Sequence, residues 1–515
     1  MSDDGVHTIG RWLTERATRS PLRIAIDDRG ATTDYATLGR RASALADGLR
    51  RAGYGPGDRI ATVSGNSTDH IVAFFACALV GVAFVPLSWR LTAHELADLI
   101  RRSTAAVILC DDENATLLAE SLRTVDEAPE VATLGPSGVE AHVPPARTRR
   151  VARPVRDDDP LLVIFTSGSE ASPKGAVLTH ANCFWNNLAL AQALPLTEDD
   201  VVLAVLPQFH VAAWNVQPLL AWWVGATVVL EGSFHPSRVL QLIGERGVTC
   251  MMAVPIHYGL LAAAREWDRA DISSLRLALV GGATVPQVVR DAWSARGVPL
   301  TQGYGLTEAG PNVLHQPAAE PESDSASVGR PYPHVEVRLV DPETGLELEG
   351  PTVGELWVRG PSVFVGYLGD EAATRRALHG EWLRTGDLAA RDHDGRYRIV
   401  DRLKDIYISG GENVAPAEVE HVLLGHPLIA EAAVVGAPDP VWGERGVAFV
   451  VRRVGAILSE DEVLAHARTS LAGFKVPVRV VMVDSLPLSS TDKVARSRLR
   501  DWAATLMEEV ARDRQ

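Results

Sequence analysis

Short apolar runs alternate with helical patterns over the first part of the chain. The runs predict buried strands, and apolar residues spaced three and four apart predict helices. We expect strands at residues 59–64, 106–110, 161–165, 201–206, 227–230 and 276–280. We expect helices at residues 92–102, 182–193 and 285–295. This alternation indicates an α/β fold of layered sheets and helices in which the sheets are largely parallel.

The pattern changes after residue 330, where short strands and turns follow one another. Stretches such as GELWVRG and DHDGRYRIV indicate a smaller β-rich subdomain. From about Lys404 both patterns return, with helices expected at 416–424 and 461–472 and strands at 429–435 and 447–451. The C-terminal part is therefore expected to form a compact α/β piece of its own.

The chain has 515 residues, which is too many for one hydrophobic core, so two or more domains are expected. Hydrophobic residues make up 46% and charged residues 22%, as in ordinary globular proteins. A membrane span needs about 18 uninterrupted apolar residues, and the sequence contains no such stretch. The first residues, MSDDGVHTIGRWLTER, lack the apolar core of a signal peptide. A cytoplasmic enzyme is therefore the expectation.

The charge balance argues against a nucleic-acid-binding surface, and the spacing of the cysteines argues against a metal site. The chain has 50 basic and 65 acidic residues, for a formal net charge of −15. Nucleic acid is not an expected partner, because duplex binding usually needs a basic face. The four cysteines stand far apart, and all but Cys183 lie in apolar runs: Cys77, Cys110, Cys183 and Cys250. Reduced, packed thiols are expected, without a metal site.

A cluster of hydroxyls, glycines and one cation follows the predicted strand at 161–165, in the stretch IFTSGSEASPKGAVLTH. Its first hydroxyl groups are those of Thr166, Ser167 and Ser169. Gly168 lets the backbone approach a ligand closely, and Lys174 adds a mobile positive charge. The stretch does not match the Walker A nucleotide loop. Its chemistry suits a polyphosphate, but a polar surface turn explains these residues equally well.

Three further stretches suit a nucleotide, and each has a structural alternative. QGYGLTE offers an aromatic ring for a purine, a hydroxyl for a phosphate and a carboxylate for Mg²⁺, or it forms a turn that enters a helix. WLRTGD ends in Asp387, which can accept both ribose hydroxyls or occupy a turn. The charged stretch DRLKD, at 401–405, fits a nucleotide contact or a solvated linker.

Together and in this order, the four stretches resemble the adenylate-forming superfamily, which includes acyl- and aryl-CoA synthetases, peptide-synthetase adenylation domains and beetle luciferases. The resemblance extends from Gly10 to Arg500 and rests on TSGSEASPKG, GYGLTE, WLRTGD, VDRLKDIYISGGENVAPAEVE and PLSSTDK. It implies a large N-terminal AMP-binding domain over residues 1–402 and a small mobile C-terminal lid over residues 403–515. Lys404 is implied as the hinge.

The resemblance also implies an ATP site. The residues implied around the phosphates are Thr166, Ser167, Gly168, Ser169 and Lys174. Those implied at the adenine are Gly282, Ala283 and Tyr304. Thr307 is implied at the α-phosphate and Glu308 at Mg²⁺, while Asp387 and Arg402 are implied at the ribose.

Lys493 matches the lid lysine that enters the site for the first half-reaction. A carboxylate that attacks the α-phosphorus brings two anions together, so positioned cations must lower the barrier. The alternative is a surface lysine beside Arg496 and Arg498. After the acyl-adenylate forms, members of the superfamily rotate the lid to admit a thiol.

The resemblance further implies residues that serve CoA and the acid. Gly410 and Gly411 are implied as backbone of the pantetheine tunnel, and Lys475 as a contact to a CoA phosphate. His210 is implied as a gate between that tunnel and the acyl pocket. The predicted pocket draws on His210, Trp214, Asn215, Gly281, Gly303 and Gly305, with Val280 and residues 310–312 beside them. Trp214 favours an aryl or short-to-medium acyl group, although long chains stay open.

The expected reaction joins a carboxylic acid to CoA with ATP and Mg²⁺, and it releases AMP and pyrophosphate. One alternative keeps adenylation but changes the acceptor to a carrier protein, or the acid to another oxyanion such as nitrite. A catalytically inactive acyl-adenylate or CoA sensor is a third reading. Ala171 and Asp492 stand where relatives usually carry glycine, which keeps altered chemistry open. Homodimerisation also stays open.

Overall fold

The computed structural model describes residues 5–166, 173–283, 285–316, 327–409, 412–439, 442–489 and 493–513. The helices found in these ranges are α1 (Gly10–Arg19), α2 (Tyr35–Ala52), α3 (Thr68–Val80), α4 (Ala93–Ser103), α5 (Ala115–Leu122), α6 (His180–Ala193), α7 (Ala212–Asn215), α8 (Pro218–Val224), α9 (Pro236–Arg246), α10 (Pro255–Ala262), α11 (Gln287–Ser294), α12 (Glu371–Ala377), α13 (Pro416–Leu424), α14 (Glu460–Arg468) and α15 (Arg496–Asp513). Short 3₁₀ turns cover Trp267–Arg269 and Thr307–Ala309.

Strands lie between these helices. They are β1 (Ile24–Asp28), β2 (Ala31–Asp34), β3 (Arg59–Val63), β4 (Ala83–Leu87), β5 (Val107–Cys110), β6 (Glu130–Thr133), β7 (Pro160–Thr166), β8 (Lys174–Thr179), β9 (Val201–Ala204), β10 (Thr227–Leu230), β11 (Cys250–Ala253), β12 (Leu277–Val280), β13 (Leu300–Tyr304), β14 (Leu314–His315), β15 (Arg330–Pro331), β16 (Glu336–Val340), β17 (Glu347–Leu348), β18 (Thr352–Arg359), β19 (Gly366–Tyr367), β20 (Leu378–His379), β21 (Trp382–Arg391), β22 (Tyr397–Arg402), β23 (Tyr407–Ser409), β24 (Glu412–Val414), β25 (Ile429–Asp439), β26 (Gly443–Arg452) and β27 (Arg479–Val483).

Two large sheets carry most of the N-terminal strands. One has nine strands in the order β15-β14-β13-β12-β11-β9-β10-β1-β2, and its central pairs are parallel. The other has seven strands in the order β19-β8-β7-β4-β3-β5-β6. Apolar side chains of these strands pack under the flanking helices, as the continuous apolar runs predicted. The expected layers of largely parallel sheet and helix are confirmed.

Two smaller sheets follow. One has six strands, in the order β17-β16-β18-β21-β20 with β22 paired to β21. The last has five, in the order β24-β23-β26-β25 with β27 paired to β26. Helices α13 and α14 pack on this last sheet through apolar residues such as Val419, Leu423 and Val463. The β-rich stretch and the compact α/β piece expected after it are both present.

The chain divides into two compact units. The large unit comprises Met1–Val337 with Trp357–Arg384, and the small unit comprises Arg338–Leu356 with Thr385–Gln515. The mixed α/β fold with a large N-terminal and a small C-terminal part is confirmed. The functional boundary at residues 402 and 403, with a hinge at Lys404, stays a prediction.

Several element ends differ from the sequence expectation for local reasons. The helix expected at 461–472 ends at Arg468, where the Thr469 hydroxyl donates to the His466 carbonyl at 2.7 Å. Such local bonds compete with helix continuation. The helix expected at 285–295 begins at Gln287, because Pro286 occupies its N-cap with an extended backbone. No helix in the described part of the chain combines the length and hydropathy that a bilayer crossing requires.

Candidate active site

The predicted adenine residues lie at one edge of the nine-stranded sheet in the large unit. Strands β12 and β13 are parallel neighbours, with Val280 opposite Gln302. Gly281 and Gly282 directly follow β12, and Tyr304 ends β13, so all three stand at the carboxyl ends of adjacent strands. That edge is where open α/β sheets bind their ligands.

Backbone geometry at this edge requires glycine at two positions. Gly282 has φ of +87°, in the left-handed region that other residues rarely adopt. At Gly305 a Cβ atom would lie 1.5 Å from the Pro311 carbonyl oxygen, so no side chain fits there. At Gly303 a Cβ would meet only ordinary neighbours, the nearest at 3.6 Å. Backbone therefore forms the lining here, next to the half-buried ring of Tyr304.

Glu308 lies in the 3₁₀ turn that follows β13, and its carboxylate is held in place. The Tyr367 hydroxyl donates to Glu308 Oε1 at 2.8 Å, and the Phe364 amide donates to the Glu308 carbonyl at 2.8 Å. Thr307 is in the same turn, so its half-buried side chain and that of Glu308 are adjacent. The structure thus places the predicted phosphate and Mg²⁺ residues side by side.

The ends of β7 and β8 approach the same tyrosine. Thr166 pairs with Lys174 across the two antiparallel strands, and the Thr166 hydroxyl lies 3.4 Å from the Lys174 carbonyl. Lys174 Nζ lies 5.5 Å from the centre of the Tyr367 ring, within cation–π range. Lys174 and Glu308 are therefore linked through one tyrosine, an arrangement we call the Lys174–Tyr367–Glu308 chain. Ser167, Gly168, Ser169 and Ala171 lie outside the described residues.

Tyr367 is a candidate site residue that sequence reasoning missed. It lies on β19, a short strand that pairs antiparallel with β8, so Tyr367 stands opposite Ala176. The pairing joins segments almost two hundred residues apart, and no local periodicity predicts it. The available signal was an aromatic residue after glycine in the stretch VFVGYLGD, between two motifs that were already assigned.

Four buried asparagines cluster at the loop that follows Glu308, and one of them, Asn312, belongs to the loop itself: Asn186, Asn187, Asn215 and Asn312. Asn215 Nδ2 donates to the Gly310 carbonyl at 2.8 Å, and the Asn312 amide donates to Asn186 Oδ1 at 3.1 Å. Because Asn186 is on α6 and Asn215 on α7, these bonds tie the loop to two helices. Asn215, predicted in the acyl pocket, is fully buried in this cluster.

His210 lies on the segment between β9 and α7, and Trp214 lies on α7 itself. Trp214 is fully buried, stacks on Phe74 with ring centres 4.4 Å apart, and donates its Nε1 proton to the Gln208 carbonyl at 2.7 Å. The ring therefore packs in the core beneath this segment. His210 is half-buried, with its amide bonded to the Pro207 carbonyl at 3.0 Å. A substrate contact by either residue stays a prediction.

In the small unit the two predicted ribose residues meet directly. Asp387 on β21 stands opposite Arg402 on β22, and Arg402 Nε lies 3.1 Å from Asp387 Oδ1. The Asp387 side chain is only 7% exposed, whereas Arg402 is exposed. The arginine therefore holds one oxygen of a buried carboxylate in place. Lys404 follows two residues later and is exposed.

The remaining predicted residues are spread over the small unit. Lys475 Nζ contacts both carboxylate oxygens of Glu418 at 2.7 Å, so a bound phosphate must compete with that ion pair. Lys493 is exposed and precedes Val494, which forms an antiparallel bridge with Leu488. We call the paired segments 487–489 and 493–495 the Lys493 hairpin. Gly410, Gly411 and Asp492 lie outside the described residues.

The expected packing of the cysteines as free thiols is confirmed, because all four are free and buried. Burial raises the pKa of Cys110, Cys183 and Cys250 to about 12, so the thiolate form is scarce at neutral pH. The described residues contain no group of three or more histidine, cysteine or acidic side chains suited to a metal ion. Mg²⁺ is often held by one or two carboxylates together with substrate phosphates, and Glu308 is the candidate carboxylate here.

Comparison with known proteins finds matches over most of the chain. Residues 13–368 match the family described as AMP-binding enzyme, and residues 418–493 match the AMP-binding enzyme C-terminal domain. A feruloyl-CoA synthase from an Amycolatopsis species is 40% identical over 493 residues, covering 96% of this chain and 98% of the relative. An indoleacetate–CoA ligase from Aromatoleum aromaticum is 33% identical, covering 98% and 100%.

Two similar solved structures also cover nearly the whole chain. The ATP-bound MatB from Rhodopseudomonas palustris has a TM-score of 0.87 at 30% identity, covering 96% of this chain and 98% of that one. The o-succinylbenzoate CoA synthetase from Bacillus subtilis, in complex with its acyl-adenylate intermediate, has a TM-score of 0.84 at 30% identity, covering 95% and 98%.

Proposed function

Because the chain belongs to the AMP-binding enzyme family, we propose that it activates a carboxylic acid with ATP and Mg²⁺ and transfers the acyl group to CoA. In the first step a carboxylate oxygen bonds to the α-phosphorus as the bond to pyrophosphate breaks. In the second step the CoA sulfur bonds to the acyl carbon, AMP leaves and the thiol proton is released. The observation that carries the proposal is the Lys174–Tyr367–Glu308 chain beside a glycine-lined sheet edge.

The large unit supplies the proposed groups for ATP. Lys174 offers a cation for the outer phosphates, and the Thr307 hydroxyl offers a donor for the α-phosphate. Glu308 offers the carboxylate for Mg²⁺, which supplies positive charge against the phosphate oxygens when bound. The Tyr367 hydroxyl orients that carboxylate at 2.8 Å, so the group needs little rearrangement during reaction.

The small unit supplies the proposed ribose contact and the mobile cation. Asp387, whose Oδ1 lies 3.1 Å from Arg402 Nε, is proposed to accept from the ribose hydroxyls. The exposed ammonium of Lys493 is proposed to stabilise negative charge on the α-phosphate during adenylation. A cytoplasmic location stays a prediction.

CoA is the proposed acceptor because the two relatives described above are named as a CoA synthase and a CoA ligase. No observation on the described residues favours a carrier protein, nitrite or a sensor role. Feruloyl and indoleacetyl groups both contain an aromatic ring, and we therefore propose an aryl acid as substrate. Hydroxycinnamic and arylacetic acids are the first panel to test.

The product distribution tests the reaction class. With ATP, Mg²⁺, CoA and this acid panel, we expect acid-dependent formation of AMP, pyrophosphate and a thioester in equal amounts. Release of ADP and phosphate would exclude the proposed chemistry. AMP release that does not depend on CoA, with no thioester formed, would exclude CoA as the acceptor.

Gly303 offers a test of the pocket wall. A Cβ at this position meets nothing closer than 3.6 Å, so Gly303→Ala is expected to fold normally. If Gly303 lines the acyl pocket, the added methyl lowers kcat/KM for the bulkiest active aryl acid by about tenfold or more, and less for a small acid. An acid panel measured by pyrophosphate exchange gives the ratio. Equal effects on all acids would place Gly303 away from the acyl group.

A further inference from the structure

A cluster of charges lies at the start of α15 in the small unit. Arg496, the first residue of that helix, contacts both carboxylate oxygens of Glu420 on α13, at 2.7 and 2.9 Å. The same guanidinium donates to the Val434 carbonyl of β25 at 2.8 Å. The Arg496 side chain is 23% exposed and that of Glu420 is 13% exposed. The planar guanidinium of Arg496, which we call the fork, thus joins the beginning of α15 to α13 and to β25.

A second pair of charges continues this cluster toward the segment after β22. Arg496 Nε lies 3.8 Å from Asp405 Oδ2. Arg500, one helical turn further along α15, forms an ion pair with the other oxygen of Asp405. It also donates to the Lys404 carbonyl at 3.1 Å. The N-terminal part of α15 is therefore bonded to the residue that we predict as the hinge.

Lys493 lies shortly before this anchored part of α15 in the chain. The Ala495 amide donates to the Pro487 carbonyl at 2.8 Å, and the Ser489 amide donates to the Lys493 carbonyl at 2.7 Å. These bonds close the hairpin that carries Lys493, and Arg496 stands next to Ala495 at its C-terminal end. Only two residues, Val494 and Ala495, lie between Lys493 and Arg496, so the guanidinium fork is anchored close to the lysine.

We propose that Arg496 is a positioning residue for Lys493. Through its two-point contact with Glu420, it sets the orientation of the hairpin that presents the lysine during adenylation. A lysine at 496 would keep the charge but lose the planar fork, which makes the exchange a test of geometry. This inference rests on the proposed function of Lys493. It predicts that Arg496 matters for one half-reaction and not for the other.

The test separates the two half-reactions. Acyl-adenylate formation is followed by acid-dependent pyrophosphate exchange, and the second step by thioester formation from a supplied acyl-adenylate and CoA. For Arg496→Lys we expect at least about a tenfold loss of exchange, because a displacement of about 1 Å at a reacting group is sufficient for such losses. The rate of thioester formation is expected to stay within about twofold of the wild-type rate, because Lys493 is proposed to act in adenylation and a displaced lysine should not affect the second step.

Arg498→Lys is the matched control, since Arg498 is exposed on the same helical turn and makes no hydrogen bond or ion pair with the described residues. It should leave both rates unchanged. Equal losses in both half-reactions for Arg496→Lys, or no loss in either, would overturn the positioning role. If Arg496→Lys does not fold, Glu420→Gln weakens the same fork from the other side, and the same split is required. A wild-type protein without exchange activity would instead refute the proposed function.

Discussion

Replacing Lys493 with alanine is expected to lower the rate of acyl-adenylate formation by about 10²–10³, the usual loss when one charge-stabilising contact to a transition state is removed. The reason is that a carboxylate and a phosphate approach each other with like charge, and the proposed ammonium offsets it. Because Lys493 is exposed in its hairpin, its removal should leave thermal stability nearly unchanged. Pyrophosphate exchange with the best acid measures the effect.

The second half-reaction provides the contrast for this variant. Thioester formation from supplied acyl-adenylate should proceed at close to the wild-type rate, since no new phosphoryl bond forms in that step. Arg498→Ala removes an exposed cation from the same region and should change neither rate. A Lys493→Ala protein with normal exchange activity would show that another cation does this work.

Glu308→Gln is expected to lower adenylation by about 10²–10³ and to raise the Mg²⁺ concentration needed for half-maximal rate. Glutamine preserves the size of the side chain and can still accept from the Tyr367 hydroxyl, which donates at 2.8 Å in the native protein. What is lost is the negative charge that Mg²⁺ prefers among its ligands. A Mg²⁺ titration of the exchange rate at saturating ATP separates metal binding from catalysis.

Tyr367→Phe completes that experiment, because it removes the orienting hydroxyl and leaves the carboxylate charge in place. Its loss should be smaller, on the order of tenfold, as for a hydrogen bond to a charged group. Glu349→Gln, at an exposed glutamate of the small unit, is the control for loss of charge alone. An unchanged Mg²⁺ requirement in Glu308→Gln would remove this residue from the metal site.

Sequence patterns predicted the fold well wherever burial decides the local structure. The strand Thr227–Leu230 and the helix Pro416–Leu424 have the predicted ends, because their apolar spacing is interrupted sharply on both sides. The resemblance to the adenylate-forming superfamily is confirmed by the match over residues 13–368. Helix ends such as that at Arg468 were wrong by several residues, since side-chain hydroxyls compete there with the helix.

The candidate site was predictable only in part. Motifs identified Thr166, Lys174 and Glu308 one by one, but not the tyrosine that links the last two. Tyr367 reaches them through an antiparallel strand pairing that depends on the whole sheet. The asparagine cluster around Asn215 is similar, because its bonds cross between two helices and a loop. Long-range contacts of this kind leave no periodic signal in one sequence.

The enclosed thiols have a practical consequence for following turnover. Disulfide reagents are attacked by thiolates, and the native protein holds its own sulfur atoms away from solvent with pKa values near 12 for Cys110, Cys183 and Cys250. An aromatic disulfide reagent that releases a coloured thiolate can be added to samples withdrawn from the reaction. It should therefore react with the thiol of free CoA and not with the native protein. The colour formed in successive samples should therefore decrease as the thioester accumulates. Unfolding of the protein would expose its cysteines and appear as a later, separate increase in colour.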